Sequence, residues 1–164
     1  MANDLFAIFR VLASHRVPFV IIGGHAVNFH GYVRATEDFD VIWSRSTESE
    51  QNLTEALQEL RACYIGKEID PATGIERLIP ISPAFVRSTH LMMLWTQDGF
   101  LDLFDFIPGM PQLDVQQVFD TRLEFDGLHY ASYEWLEKMK LAAGRTKDLL
   151  DLEVLRKMRD ESNT

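Results

Sequence analysis

One stretch of the chain, residues 17–41, joins a glycine pair to two closely spaced aspartates. The apolar run at its start stops at Gly23 and Gly24, and the acids Asp38 and Asp40 open a second apolar run. Apolar residues rich in Val, Ile and Phe and bounded by glycine predict a buried strand. Adjacent glycines let the backbone turn sharply and approach a ligand closely. The stretch therefore predicts a strand, a tight turn and a second strand.

Asp38 and Asp40 alternate with Phe39, so on a strand both carboxylates point to one face and the ring points to the other. Residues 25–32 are enough for a short helix, whose first turn would present free N–H groups to an anion. Two carboxylates beside such a turn suit a divalent cation held against a phosphate. An ordinary turn would explain the glycine pair, and a solvated strand face would explain the two aspartates. The two features occur together, and this coincidence favours a site.

The order of a glycine pair, a short helix and an Arg-x-Thr-x-Asp-x-Asp run resembles the nucleotidyltransferase superfamily that includes DNA polymerase β. It resembles more closely the small bacterial nucleotidyltransferases, among them the toxins of abortive-infection toxin–antitoxin systems. The matching residues are Gly23, Gly24, Ala26, Arg34, Thr36, Asp38 and Asp40. The resemblance implies that the glycines cradle nucleotide phosphates and that the two aspartates bind magnesium. We place Arg34 and Thr36 at the nucleotide too, whereas His25 either faces the nucleotide or packs beside the glycine turn.

A third carboxylate is predicted at Asp102, within the run FLDLFDFI that follows the hairpin signal Asp98-Gly99. An acid between two leucines of a central strand is costly unless it is paired or bound to metal. The resemblance implies a third carboxylate in this setting. Asp105 has the opposite parity, so we expect a solvent-facing or helix-capping acid there, unless a bulge exchanges the two roles.

The run LEKMKLAAGRTKDLLDLEVL, residues 136–155, places Lys140 on the apolar stripe of a predicted helix. A lysine there either extends to the edge of the stripe or meets an anion. The related toxins are similar in having a lysine, then Gly-Arg and an Asp-x-x-Asp helix. The resemblance implies that Lys140 contacts a triphosphate and that Asp148 orients the lysine or a metal-bound water. For Asp151 a functional role and a favourable position near the helix start stay open.

The pattern of elements predicts an α/β protein with a short mixed twisted sheet, flanking helices and a C-terminal helical pair. We expect one domain over 1–164, with 131–164 either part of it or a small helical appendage. A first helix should carry the stripe Leu5, Ile8, Phe9 and Leu12, capped by Asn3 or Asp4. A capping box is predicted at Thr47 to Glu50, with Cys63 at the end of the helix behind it. Further strands are predicted over 76–82, 88–96, 100–107, 122–125 and 128–131, and further helices over 113–119, 133–143 and 146–159.

The 164 residues carry a net charge of −9, which argues against a broad nucleic-acid surface. Hydrophobic residues make up 46%, as in a globular protein. No apolar run has the length that crosses a bilayer, and the first residues, MANDLFAIFRVL, lack the basic segment of a signal peptide. The single cysteine excludes a disulfide framework, and we expect a cytoplasmic protein. The three tryptophans, Trp43, Trp95 and Trp135, are expected in the core.

The resemblance implies transfer of a nucleoside monophosphate from NTP to an acceptor hydroxyl, with release of pyrophosphate. Asp38 and Asp40 would hold Mg²⁺ or Mn²⁺, and Asp102 would share a metal and act as base. The expected partners are NTP, an acceptor that is tRNA, protein or a small molecule, and an antitoxin protein if the chain is a toxin. Residues 48–91 carry no motif and are the predicted acceptor surface. The alternative is a catalytically silent nucleotide-binding or regulatory module of the same fold.

Overall fold

The computed structural model describes residues 4–164, in which helices and strands alternate along most of the chain. The helices are α1 (Ala7–Ser14), α2 (Gly23–Phe29), α3 (Thr47–Glu59), α4 (Pro83–Ser88), α5 (Gln116–Asp120), α6 (Tyr133–Ala143) and α7 (Thr146–Ser162). The strands are β1 (Phe19–Ile22), β2 (Asp38–Trp43), β3 (Cys63–Ile69), β4 (Glu76–Pro80), β5 (Leu91–Thr96), β6 (Gly99–Phe104), β7 (Leu123–Phe125) and β8 (Leu128–Tyr130).

All eight strands form one sheet in the order β4-β3-β5-β6-β2-β1-β8-β7. The pairs β2–β6 and β1–β8 are parallel, and the other neighbours are antiparallel. The predicted mixed α/β architecture is therefore confirmed. The glycine turn between β1 and α2 and the aspartates of β2 meet at the centre of this sheet.

The two faces of the sheet bury different helices. Ile8, Phe9 and Leu12 of α1 join the core on one face, to which α3 also contributes. On the other face, Trp135 and Met139 of α6 pack over the strand residues Val20, Ile22 and Ile42. Because α6 lies on the second face, it can carry charged side chains to the even-numbered positions of β2. None of the helices within residues 4–164 combines the length and apolar character of a membrane crossing.

Several local predictions need correction. The capping box lies one residue earlier, between Ser46 and Ser49 rather than Thr47 and Glu50. Cys63 begins β3 instead of ending a helix, because the chain reverses at Arg61, whose φ is 51°. Leu5 is exposed although the predicted stripe included it. Asn3, one of the two predicted caps, lies outside the described residues.

Candidate active site

Asp40 and Asp102 stand side by side on neighbouring parallel strands. The register of β2 and β6 pairs Asp40 with Asp102 and, one step earlier on that face, Asp38 with Phe100. Paired positions project their side chains to the same face of a sheet. The predicted parity is therefore confirmed: Asp102 shares a face with the Asp-x-Asp pair. Asp38, at the first position of β2, is exposed, whereas Asp40 and Asp102 are partly buried.

The turn into α2 is built against these carboxylates. Gly23 has a φ of 64°, and a Cβ atom placed there would lie 2.2 Å from Oδ2 of Asp40. A Cβ on Gly24 would lie 2.4 Å from Oγ1 of Thr36. Each glycine is thus required by a close approach, one to the acid and one to the loop that precedes it. The predicted turn lies where the sequence placed it, and Thr36 supports it from outside.

Burial and neighbouring carboxylates raise the pKa of Asp40 and that of Asp102. Burial, followed by the charges of Asp102 and Asp38, raises the pKa of Asp40 to about 7, against the opposing charges of Lys140 and Arg145. Burial and the charge of Asp38 raise the pKa of Asp102 as well. The site therefore has an excess of negative charge at neutral pH, which a cation would relieve.

A pocket of about 150 Å³ separates the sheet from α6 and the start of α7. Gly23, Asp40 and Asp102 line one wall, and Lys140 and Arg145 are among the residues of the opposite wall. The pocket thus brings together acids that can hold a metal ion and cations that can meet phosphate. These acids and cations belong to separate motifs that lie far apart in the sequence.

Five charged side chains, three of which line this pocket, form one chain of ion pairs. Nζ of Lys140 donates to Oδ1 of Asp148 at 3.0 Å and to Oδ2 of Asp151 at 2.8 Å. Arg34 contacts Asp151 through Nε at 2.7 Å and Nη2 at 2.8 Å, and Nε of Arg145 contacts Oδ2 of Asp148 at 2.7 Å. Burial favours the neutral acids, but these hydrogen bonds outweigh it and lower the pKa of Asp148 and Asp151.

Lys140, Arg34 and Asp151, all members of this chain of ion pairs, differ in the partners they hold. Lys140 is almost fully buried and two of its three N–H donors are engaged, so one remains for the pocket. Arg34 joins the loop before β2 to α7 by its bidentate pair with Asp151. Asp151, whose role the sequence left open, is a shared partner of Arg34 and Lys140. The predicted contact of Arg34 with a nucleotide would have to coexist with that pair.

His25 and Asp105 lie away from the carboxylate pocket. The ring of His25 stacks on Phe39 at 4.8 Å and meets the edge of Phe9 at 5.1 Å between centroids. Since Phe39 points away from the Asp-x-Asp face, a nucleotide contact would require His25 to leave this aromatic cluster. Asp105 is neither solvent-facing nor a helix cap: its buried carboxylate pairs with Arg45 at 2.7 Å and with His90 at 2.8 Å.

An uncovered part of the sheet continues outward from Asp102. The register pairs Met93 with Asp102 and Trp95 with Phe100, so all four side chains share a face. Met93 is 65% exposed, Trp95 43% and Phe100 52%. The expectation that all three tryptophans lie in the core is therefore wrong for Trp95 and correct for Trp43 and Trp135. Met93, Trp95 and Phe100 therefore form an exposed apolar surface beside Asp102. We call Met93, Trp95 and Phe100 the apolar platform.

The donor chemistry of the pocket fits a divalent cation. Asp40 and Asp102 offer hard oxygen ligands in register, and their mutual repulsion favours a shared positive charge. Within residues 4–164, no three His, Cys, Asp or Glu side chains already stand together as a complete metal site. Mg²⁺ is commonly bound by one or two carboxylates together with substrate phosphates. The pair therefore fits an ion that arrives with a nucleotide, and Asp38 would join it by a change of side-chain orientation.

Comparison with known proteins gives a match at the level of structure. No family model matches the chain, and no curated protein matches it in sequence. The solution structure of ANT(2'')-Ia, described as an antibiotic-resistance factor, aligns over 99% of this chain and 95% of that one, with a TM-score of 0.54 and 14% identity. ANT(2'')-Ia is a nucleotidyltransferase.

Two crystal structures agree with this match. ANT(2'')-Ia in complex with adenylyl-2''-tobramycin aligns over 96% of this chain and 95% of that one, with a TM-score of 0.50 and 16% identity. JHP933 from Helicobacter pylori aligns over 94% of this chain and 66% of that one, with a TM-score of 0.50 and 18% identity. At these identities the likeness establishes the fold, and the chemistry has to be argued from the residues of the pocket.

Proposed function

We propose that this chain, which has the nucleotidyltransferase fold, transfers a nucleoside monophosphate from NTP to an acceptor hydroxyl. The observation that carries the proposal is the register of Asp40 and Asp102 on one open face of the sheet, beside the Gly23 turn. An isolated pair of acids on a buried strand would be costly, and a site that uses both explains their position. The cations across the pocket supply the complementary charge for phosphates.

In the proposed reaction the acceptor oxygen attacks the α-phosphorus, and a new P–O bond forms as the bond to the β-phosphate oxygen breaks. Pyrophosphate leaves, and Asp102 takes the proton of the acceptor hydroxyl. Asp38, Asp40 and Asp102 would hold Mg²⁺ or Mn²⁺, which would neutralise the phosphates and lower the pKa of the hydroxyl. Gly23 and Gly24 would supply backbone N–H groups to the phosphates at the turn, and Lys140 would offer its remaining N–H donor.

The apolar platform supports a place for the acceptor. Met93 and Trp95 lie on β5, on the side of Asp102 away from Asp40, whereas Phe100 lies on β6 and pairs with Asp38. Exposed tryptophan and phenylalanine rings bind flat or apolar groups well. We propose that the acceptor lays such a group on Trp95 and Phe100 and presents its hydroxyl to Asp102. This assigns the acceptor to β5 and β6 in addition to the predicted region 48–91.

The test is to incubate the protein with Mg²⁺, cell extract and each α-labelled NTP, and to identify the molecule that becomes labelled. Wild type should label one acceptor. Asp40→Asn should abolish labelling, because it removes a charged ligand, and Trp95→Ala should lower labelling while leaving NTP affinity unchanged. If wild type binds NTP but labels nothing in any extract, the chain is the silent nucleotide-binding module and the proposal fails.

A narrower proposal is that the chain is the cytoplasmic toxin of a toxin–antitoxin pair. It is supported by the sequence resemblance alone, through the Arg-x-Thr-x-Asp-x-Asp run and the Lys140 region, and the single cysteine suits a reducing compartment. Induced expression should then arrest growth in wild type and not in Asp40→Asn. Equal growth of the two strains at equal protein levels would exclude the toxin role and leave the transferase proposal unaffected.

A further inference from the structure

The chain of ion pairs beside the pocket carries a net charge. It alternates Arg34, Asp151, Lys140, Asp148 and Arg145, three cations against two anions. One positive charge is therefore in excess. The inner members expose little of this charge, since both aspartates are 2% exposed in their side chains and Lys140, at 7%, has a single remaining donor for the pocket. The excess charge is accessible at one of the two ends.

The two ends differ sharply in exposure. The side chain of Arg34 is 14% exposed and both of its outer nitrogens have partners, Asp151 and the carbonyl of Ala35. The side chain of Arg145 is 75% exposed. Within residues 4–164 its hydrogen bonds go to Asp148 alone, from Nε at 2.7 Å and from Nη2 at 3.3 Å. A guanidinium has five N–H donors, so Arg145 keeps several of them for a ligand.

The side chain of Arg145 also faces the pocket. It lines the pocket together with Gly23, Asp40 and Asp102. After the hydrogen bond and charge of Asp148, the charges of Asp40 and Asp38 also raise its pKa. Its partner Asp148 is buried and fixed from behind by Lys140. The guanidinium is thus held on a rigid support while its outer edge stays open, which is the arrangement that favours bidentate recognition of phosphate.

We propose that Arg145 binds the phosphates of the nucleotide, with Asp148 as the residue that positions it. This rests on the proposed function and adds to it a residue that had no predicted role. Lys140 then has two tasks, one donor for the pocket and two for the carboxylates that hold Arg145 and Arg34. Because recognition is through phosphate, the contribution of Arg145 is the same for every NTP and for inorganic tripolyphosphate.

The experiment measures the binding of MgATP, the other three Mg-NTPs and magnesium tripolyphosphate by calorimetric titration. Arg145→Gln should raise the dissociation constant of each phosphate ligand by about 10-fold or more, as expected for loss of a charge-assisted contact. Lys147→Gln is the matched control: it removes another exposed cation, two residues away, that does not line the pocket. Its dissociation constants should stay within about twofold of wild type, since exposed charges interact weakly.

Arg145→Lys keeps a cationic partner for Asp148 but removes the forked guanidinium. It therefore tests the assignment of Arg145 even if Arg145→Gln does not fold. It should bind tripolyphosphate several-fold more weakly than wild type. Wild-type affinity in Arg145→Lys, or equal weakening in Arg145→Gln and Lys147→Gln, would overturn the assignment of Arg145. A wild-type protein that binds no NTP at all would instead overturn the proposed function, so the two failures are distinguishable.

Discussion

At the scale of single residues, Asp40 is the group whose ionisation should govern stability in the absence of metal. Its pKa is raised from an ordinary value of 3.8 to about 7 by burial and by neighbouring acids. A raised carboxyl pKa means that the folded state holds its proton more tightly than the unfolded chain. The stability this confers is complete below pH 3.8 and is lost as the pH rises to about 7.

We therefore predict that the melting temperature of wild type in EDTA falls over this range more steeply than that of Asp40→Asn. Above pH 7 the variant should melt several degrees higher, since 1 kcal/mol corresponds to about 2–4 °C for a chain of this size. The measurement is a series of thermal melts in EDTA from pH 4 to about pH 8. Parallel curves for the two proteins would show that Asp40 titrates normally.

The residue scale also shows what local sequence can and cannot reveal. The parity of Asp38, Asp40 and Asp102 follows from strand periodicity alone, so their common face was predictable. The partners of Lys140 were only half predictable. Asp148 lies eight positions away on the next helix, within reach of a motif, and the resemblance paired the two. The bond between Arg34 and Asp151 joins residues 117 positions apart, and no spacing rule reaches that far.

At the scale of elements, the turn from β1 into α2 is the feature most sensitive to a single methyl group. Alanine at Gly23 would place its Cβ 2.2 Å from Oδ2 of Asp40, at a φ of 64°. We predict that Mg²⁺ and NTP raise the melting temperature of wild type by mass action, and that Gly23→Ala loses this gain because the carboxylate must move. It should also cost about 1–3 kcal/mol of stability from backbone strain and overpacking.

The matched control for this turn is Gly74→Ala. Gly74 has nearly the same φ, 68°, but a Cβ there meets nothing within 4 Å. It should therefore show the strain of a positive φ alone and keep the full ligand-dependent shift in melting temperature. Differential scanning fluorimetry with and without ligand measures both effects. An equal ligand response in both variants would contradict the close-approach argument.

Elements with a strong local signal were predictable, and those without one were missed. The hairpins at Asp98-Gly99 and Asp126-Gly127 and the helix between Ser132 and Gly144 occur as expected. β3 has no alternation, because its residues are largely exposed on both faces, so nothing marked it as a strand. α4 did carry a signal, a Ser82 cap followed by proline at its first position, but its six residues are too few for an apolar period.

At the scale of the whole molecule, the chain of ion pairs joins the loop before β2 to α6 and α7. We predict that Asp151→Asn destabilises the protein by about 3 kcal/mol at pH 7, because Arg34 and Lys140 lose a buried counter-charge. Asp160→Asn, on the exposed part of α7, should change stability by less than about 0.5 kcal/mol. Urea unfolding measures both.

The pH dependence of this effect has the sign opposite to that of Asp40. Hydrogen bonds from Arg34 and Lys140 lower the pKa of Asp151 despite its burial. Its contribution is therefore present above the ordinary value of 3.8 and is lost as the pH falls below it. The difference in unfolding free energy between wild type and Asp151→Asn should shrink in acid. A constant difference down to pH 2 would mean that packing rather than charge holds α7.

The long separation between Arg34 and Asp151 has a consequence for the newly synthesised protein. The glycine turn and the first two acids are translated about a hundred residues before Lys140, Arg145 and Asp148. Until α7 emerges, Arg34 lacks its carboxylate and one wall of the pocket does not exist. A chain translated only as far as β6 would therefore carry the acids without the opposite wall of the pocket. The proposed transfer could begin only after α7 has been translated, so synthesis of the acids alone would not suffice for it.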